Sequence, residues 1–150
     1  MTKIVIDTNI AFSSFLNINS RIAQILLSIG NYDFYAPDYI RFEIIKHKNK
    51  IKKIANVSED EFLELYELIL GNITVLNPSL IPRETYEKAE TLCKSIVDDT
   101  AFVAVAEFIH GKLWTGDLAL LSGLKEKGYK QFIRTDELFQ DFLKKERKKK

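Results

Sequence analysis

The sequence predicts an α/β protein with a parallel central sheet covered by helices on both faces. Short strand-like segments alternate with helical segments along the chain, and the first segment, Ile4-Val5-Ile6, is apolar without a break. Such alternation is typical of a parallel sheet between helices, and an unbroken Val/Ile run suits a strand buried on both faces. We therefore expect a three-layer α/β/α sandwich of four or five strands with Ile4–Ile6 at its centre.

Length and composition limit the class of protein. The chain has 150 residues, of which 46% are apolar, as in an ordinary globular domain. We expect one domain over residues 1–143 and a frayed basic tail over residues 144–150. The formal net charge is +1, so any attraction for nucleic acid must be local. Cys93 is the only cysteine, which excludes an intrachain disulfide and a cysteine metal cluster.

No segment has the pattern of a targeting or membrane-spanning element. Only three consecutive apolar residues precede Asp7, too few for a signal peptide, and no apolar run approaches the ~20 residues of a membrane span. Together with the single cysteine, this favours a cytoplasmic protein without a membrane partner. The glycines are scattered and form no phosphate-binding loop, which argues against a nucleotide-binding domain.

Apolar periodicity and turn residues place the elements of the first third of the chain. A short helix covers Thr8–Phe15, and Ser20 caps an amphipathic helix that ends at a glycine. Asp33–Ala36 is predicted as a second strand, and Pro37 suits the position before a helix start. Tyr39–Val57 is predicted as one long helix whose second half is basic.

The middle of the chain contains a helix, a strand and a second helix. Ser58 and Glu61 have the spacing of a capping box, which predicts a helix start. Ile73–Leu76 is the third predicted strand, and Arg83–Lys94 is a mainly polar helix.

The last third begins with a second capping box, Ser95 with Asp98. The helix that follows is apolar on most sides over residues 101–109, which is typical of a buried helix. Strand Lys112–Thr115 then leads to a helix that starts at Asp117. Two further elements complete the chain, a strand at Gln131–Arg134 and a helix capped by Thr135.

Four acids share one placement in this predicted fold. Asp7 and Asp117 follow strands, Asp99 opens the most buried helix, and Glu43 lies near the start of the helix after the second strand. Parallel strands end at the same edge of a sheet, where ligands bind in open α/β folds, so the four carboxylates can converge there. Unpaired, they would raise one another's pKa. A hard divalent cation would neutralise them, since Mg²⁺ takes oxygen ligands and such ions support phosphodiester cleavage.

Each acid also has a purely structural interpretation. Asp7 and Asp117 could cap the helices that follow them. Asp98 and Asp99 could complement a helix dipole, and Glu43 could be a solvated helix residue. From the residues alone, these alternatives stay open.

A basic segment follows Glu43 along the same predicted helix. Its lysines, which could contact a phosphate backbone near the acids, are Lys46, Lys48, Lys50, Lys52 and Lys53. A solvated helix face is an equally good interpretation of such a run.

These segments resemble a PIN domain, the nuclease fold of VapC-type toxins and related RNA-processing enzymes. The resemblance spans residues 3 to about 135. The segments that resemble the family's four acid-bearing motifs are Val5–Asn9, Tyr39–Ile44, Asp98–Ala106 and Leu113–Asp117 followed by Leu120.

Carried over residue by residue, the resemblance implies a set of site residues. Those that resemble the metal-binding and catalytic acids are Asp7, Glu43, Asp99 and Asp117. Asn9 and Thr115 resemble the polar residues that orient them. Asp98 is a rival of Asp99, and the register favours Asp99 because the family's acid directly precedes the apolar helix.

The resemblance further implies an endoribonuclease that cleaves RNA with Mg²⁺ or Mn²⁺. It also implies a homodimer, and an antitoxin protein as partner if the chain is the toxin of a toxin–antitoxin pair. A housekeeping RNA-processing enzyme is equally compatible with these residues. Two alternatives are a non-catalytic RNA-binding member of the same fold and a phosphatase with Asp7 as nucleophile. The phosphatase is disfavoured because such enzymes have a second Asp two residues on, where this chain has Asn9.

Overall fold

A five-stranded, all-parallel sheet organises the described part of the chain, residues 1–93 and 99–149 of this computed structural model. The strands are β1 (Thr2–Ile6), β2 (Tyr32–Pro37), β3 (Ile73–Leu76), β4 (Lys112–Trp114) and β5 (Phe132–Ile133). Their order is β3-β2-β1-β4-β5, so β1 is the central strand. In register, Val5 pairs with Tyr35 of β2 on one side and with Leu113 of β4 on the other. The predicted α/β class and the central position of Ile4–Ile6 are confirmed.

Helices connect the strands and cover both faces of the sheet. The first five helices are α1 (Thr8–Leu16), α2 (Arg21–Leu26), α3 (Tyr39–Lys46), α4 (Lys48–Ala55) and α5 (Glu59–Leu70). A 3₁₀ turn at Pro78–Leu80 precedes the others, α6 (Arg83–Leu92), α7 (Thr100–Ile109), α8 (Leu118–Glu126) and α9 (Thr135–Lys148). None of the helices in the described ranges is both long and apolar enough to cross a bilayer.

The side chains of β1 divide the core into two layers. Ile4 and Ile6 belong to one apolar cluster with Trp114, whereas Val5 belongs to the other with Leu113. The side chains of Ile4, Val5 and Ile6 are all fully buried. Successive side chains of a strand point to opposite faces, so both faces of β1 are covered here. The first cluster lies under α1–α5 and α9, and the second under α6–α8. This is the three-layer arrangement that the apolar run predicted.

The predicted single helix Tyr39–Val57 is wrong, because the chain breaks at His47 into α3 and α4. The backbone of His47 leaves helical geometry, with φ −100° and ψ 15°. Its ring contacts Phe12 edge-on at 5.4 Å between centroids, and Nδ1 lies 2.9 Å from the Glu43 carbonyl oxygen. After the break, α4 buries Ile51 against the core.

The C-terminal helix is longer than predicted. α9 continues to Lys148, so the expectation that residues 144–148 are frayed is wrong. The Asn31 Nδ2 donates to Glu146 Oε1 at 2.8 Å, which ties this end of α9 to the segment before β2. The predicted capping box of Ser95 and Asp98 lies outside the described residues, as does Lys94, the last residue of the helix predicted before it.

Candidate metal centre

Asp7 lies where the central strand ends and α1 begins. Its Oδ1 accepts a hydrogen bond from the Ile10 backbone N–H at 2.9 Å, so Asp7 is the N-cap of α1. Only 5% of the residue is exposed. Burial raises the pKa of Asp7 and the negative charge of Asp117 adds to this, while hydrogen bonds from Thr115, Ile10 and Asn9 oppose the rise. The carboxylate is therefore held in an environment that penalises its charge.

Thr115 links Asp7 to the second acid, Asp117. Thr115 is fully buried. Its Oγ1 accepts from the Asp117 backbone N–H at 3.0 Å, and its hydroxyl hydrogen-bonds the Asp7 carboxylate. Asp117 in turn caps α8, because its Oδ1 accepts from the Leu120 N–H at 3.1 Å. One buried hydroxyl thus fixes both acids relative to each other.

The register of the sheet explains why Asp7 and Thr115 lie side by side. Ile6 of β1 pairs with Trp114 of β4, and the two strands run parallel. The residues that follow, Asp7 and Thr115, therefore leave the sheet side by side at its carboxyl edge. The Asp7 N–H also donates to the Trp114 carbonyl oxygen at 3.4 Å. The expectation that strand-end acids meet at this edge agrees with the electrostatic contact between Asp7 and Asp117.

Glu43 reaches the same edge through Thr8, to which sequence analysis gave no role beyond the start of a helix. Thr8 Oγ1 donates to Glu43 Oε1 at 2.6 Å, which joins α3 to the start of α1. Thr8 is buried and Glu43 is half-buried. The position of Thr8 directly after Asp7 was the only sequence feature that pointed to a role in the site. Its hydrogen-bond partner, Glu43, lies 35 residues away in sequence, so local patterns could not indicate the contact.

Asp99 lies just before α7, as predicted, and is half-buried. Its charge acts on Cys93. Burial raises the pKa of the Cys93 thiol to about 11, with the Asp99 carboxylate as the second cause. Asp98 lies outside the described residues, so the choice between the two acids stays a prediction. Among residues 1–93 and 99–149, no group of three or more His, Cys, Asp or Glu side chains is arranged to hold a metal ion.

The two predicted supporting residues differ in how they act. Thr115 uses its side chain, as described above. The Asn9 side chain is exposed, and it is the Asn9 backbone N–H that hydrogen-bonds the Asp7 carboxylate.

The basic segment is divided between paired and exposed lysines. Lys48 Nζ lies 2.8 Å and Lys52 Nζ 3.6 Å from Glu59 Oε1 at the start of α5. Lys50 and Lys53 are exposed on α4. Lys46 ends α3 with its Nζ 6.0 Å from the centre of the Phe42 ring. Two of the five lysines that were predicted to contact phosphate therefore already pair with a carboxylate.

The donor set at the sheet edge fits a hard cation. Mg²⁺ is usually held by one or two carboxylates and completes its shell with waters and substrate phosphate oxygens. Asp7 and Asp117 supply two carboxylates whose side chains are held in place by helix caps and by Thr115. A cation there would offset the burial and the repulsion that raise the pKa of Asp7.

Comparison with protein families agrees with this geometry. The PIN domain family model matches residues 5–142, from the end of β1 through β5 and into α9, and so covers both acids. No curated protein matches the chain. Members of the matched family are generally nucleases. With nearly the whole chain matched, and the paired acids at the carboxyl ends of β1 and β4, the protein belongs to the PIN domain family.

Proposed function

We propose that the chain is an endoribonuclease that uses Mg²⁺ or Mn²⁺ to cleave RNA phosphodiester bonds. The observation that carries this proposal is the buried Asp7 next to Asp117 at the carboxyl ends of the central strands. Burying one carboxylate beside another costs several kcal/mol unless a compensating charge is present. A divalent cation bound by the two acids, as in a nuclease metal site, would offset that cost.

Each acid has a role in this proposal. Asp7 and Asp117 bind the cation directly, and Thr115 holds the Asp7 carboxylate next to the Asp117 backbone. Glu43, held by Thr8, and Asp99 are the further acids that the family resemblance assigns to the site. A bound divalent cation would polarise a phosphate oxygen and activate the attacking water.

A cleavage assay with and without EDTA tests the proposal. Asp7→Asn and Asp117→Asn should each lower the cleavage rate by at least about a hundredfold, comparable to the loss of a principal electrostatic group in other enzymes. Asp38→Asn is the matched control, because Asp38 follows β2 at the same edge, is exposed and makes no side-chain cap bond. Full activity in EDTA, or full activity of Asp7→Asn, would exclude the metallonuclease.

The two neighbouring acids before α7 can be separated in the same assay. We propose Asp99 as the site acid, so Asp99→Asn should lower cleavage more than Asp98→Asn does. A larger loss from Asp98→Asn would assign the site to Asp98 instead.

A second candidate is a non-catalytic RNA-binding member of the family. The observation that favours it is that no set of three metal-binding side chains is arranged among the described residues. This candidate predicts that RNA binds with equal affinity with and without Mn²⁺ and that no condition yields cleavage. The metallonuclease instead requires Mn²⁺-dependent product, so one titration separates the two.

The basic segment belongs to the proposed RNA surface. Replacing the five lysines, Lys46, Lys48, Lys50, Lys52 and Lys53, by Gln should weaken RNA binding and flatten its salt dependence, because each neutralised phosphate adds to the salt slope. Lys46, Lys50 and Lys53 should account for most of the effect, since Lys48 and Lys52 are paired with Glu59. An unchanged slope would remove the segment from the surface.

The family resemblance extends the proposal to a toxin that acts as a homodimer and binds an antitoxin protein. Light scattering of the purified chain tests the dimer. Co-expression with the neighbouring upstream open reading frame tests the antitoxin, because a true pair should restore growth that the chain alone inhibits.

A further inference from the structure

A cleft lined by two arginines includes Thr115, the residue that hydrogen-bonds both Asp7 and Asp117. It has a volume of about 390 Å³ and opens beside the loop that follows β4. Arg21, the first residue of α2, and Arg134, the residue before α9, line it together with Thr115. We call this feature the arginine cleft. Thr115 is therefore shared: its hydroxyl holds Asp7 and Asp117 together, while the residue also forms part of the cleft wall.

The two guanidinium groups are only weakly neutralised. Arg134 Nε lies 3.8 Å from Asp136 Oδ1, with both side chains more than half exposed, at 55% and 68%. An exposed pair at that distance contributes little. Within the described residues Arg21 forms no salt bridge; its guanidinium lies 5.0 Å from the centre of the Phe139 ring. The cleft thus has two cations against the single carboxylate of Asp136.

The cleft is fixed to the sheet that carries the acids. Trp114 of β4 is fully buried, and its Nε1 donates to Thr135 Oγ1 at 3.0 Å. Thr135 begins α9 and lines the cleft. Arg134, immediately before it, is therefore anchored to the strand whose end leads to Asp117. The ring of Phe139, one turn further along α9, holds the Arg21 side chain against the same helix.

We propose that the arginine cleft binds a phosphate of the RNA strand next to the phosphate at the acids. This inference rests on the proposed nuclease function. Guanidinium groups bind phosphate oxygens through paired hydrogen bonds and suit nucleic-acid backbones better than other side chains. In an RNA strand whose scissile phosphate lies between Asp7 and Asp117, one neighbouring phosphate lies on each side. The arginine cleft lies on one of these sides, because Thr115 contacts both acids and also lines the cleft.

Binding measurements on Arg21→Gln, Arg134→Gln and the double variant test this. The probe is a fluorescent single-stranded RNA, in an Asp7→Asn background with Mn²⁺ so that it stays intact. The double variant should bind about tenfold more weakly, as expected for loss of charged hydrogen bonds. Its slope of log affinity against log salt should fall by about 0.7, the value for one phosphate on a single strand. The control is Arg147→Gln, on the exposed far end of α9, about 20 Å from Arg134 along the helix.

Cleavage kinetics and a modified RNA complete the test. With Asp7 intact, the double variant should raise KM about tenfold and change kcat less than about threefold, because the cleft binds without touching the reacting atoms. A single uncharged methylphosphonate next to the mapped cleavage site should weaken native binding and leave the double variant unaffected.

The outcomes separate the two proposals. If the native chain cleaves RNA but the double variant behaves as Arg147→Gln does, the arginine cleft is excluded and the nuclease remains. If the native chain neither binds nor cleaves RNA with Mn²⁺, both are excluded. Because Arg21 and Arg134 are exposed, circular dichroism of the variants should match that of the native chain.

Discussion

Replacing Thr115 by Val removes the hydroxyl that joins the two acids and keeps the shape of the side chain. Two hydrogen bonds are lost, one from the Asp117 backbone N–H at 3.0 Å and one to the Asp7 carboxylate. A neutral hydrogen bond contributes about 0.5–1.5 kcal/mol and one to a charged group about 1.5–3 kcal/mol. We therefore expect Thr115→Val to lower the free energy of unfolding by about 2–4 kcal/mol, because the Asp7 carboxylate stays buried and the Asp117 N–H stays part-buried without this partner.

The loss should depend on pH. The Thr115 hydrogen bond opposes the rise in the pKa of Asp7, so its removal raises that pKa further. A carboxyl group whose folded-state pKa is raised contributes stability below its unfolded pKa of about 3.8 and loses it as the pH rises through the folded value. The difference between native and Thr115→Val should thus be smallest in acid, where only the loss of the neutral hydrogen bond from Asp117 remains in full, and should grow as the pH rises through the folded-state pKa of Asp7.

Urea unfolding in EDTA, followed by circular dichroism at acidic and neutral pH, measures both effects. Thr115→Ser keeps the hydroxyl and should cost only about 0.5–1.5 kcal/mol for the lost methyl group. Thr74→Val, on an exposed position of β3, is the matched control and should stay within about 0.5 kcal/mol of the native chain. If Thr115→Val equals Thr74→Val at both pH values, the bridging role of Thr115 is refuted.

Three further outcomes are expected. Asp7→Asn should raise the Tm of the metal-free protein at neutral pH by about 2–4 °C per kcal/mol of relieved burial and repulsion, and acid should abolish the gain. Thr135→Val should cost about 1–3 kcal/mol in urea unfolding because the Trp114 indole N–H, now without its partner, stays buried. With its pKa raised to about 11, the Cys93 thiol should react with a maleimide reagent at pH 7 only when denaturant is added.

Local patterns predicted the sheet and the positions of Asp7 and Asp117 after two of its strands. The unbroken run Ile4–Ile6 required burial on both faces, and only a central strand satisfies that requirement. Once β1 and β4 are parallel neighbours, the positions of Asp7 and Asp117 follow from strand direction alone. These features depend on residues a few positions apart, which is the range over which sequence periodicity carries information.

The features that sequence analysis missed depend on contacts between distant residues. The break at His47 accompanies its contact with Phe12, which lies on another helix. The end of α9 is held through Asn31 and Glu146, which are 115 residues apart. The sequence around His47 and the sequence at the end of α9 both have ordinary helical composition. Helix propensity therefore indicated neither the break at His47 nor the extension of α9.

Both Asp7 and Asp117 serve as the N-cap of a helix through Oδ1. Asn is as good an N-cap as Asp, so replacing either acid by Asn removes a negative charge and leaves α1 or α8 properly started. In the genetic code a single base change converts an Asp codon to an Asn codon. If the proposed nuclease function holds, one mutational step could therefore abolish cleavage and keep the fold, and an inactive paralogue would be the expected product.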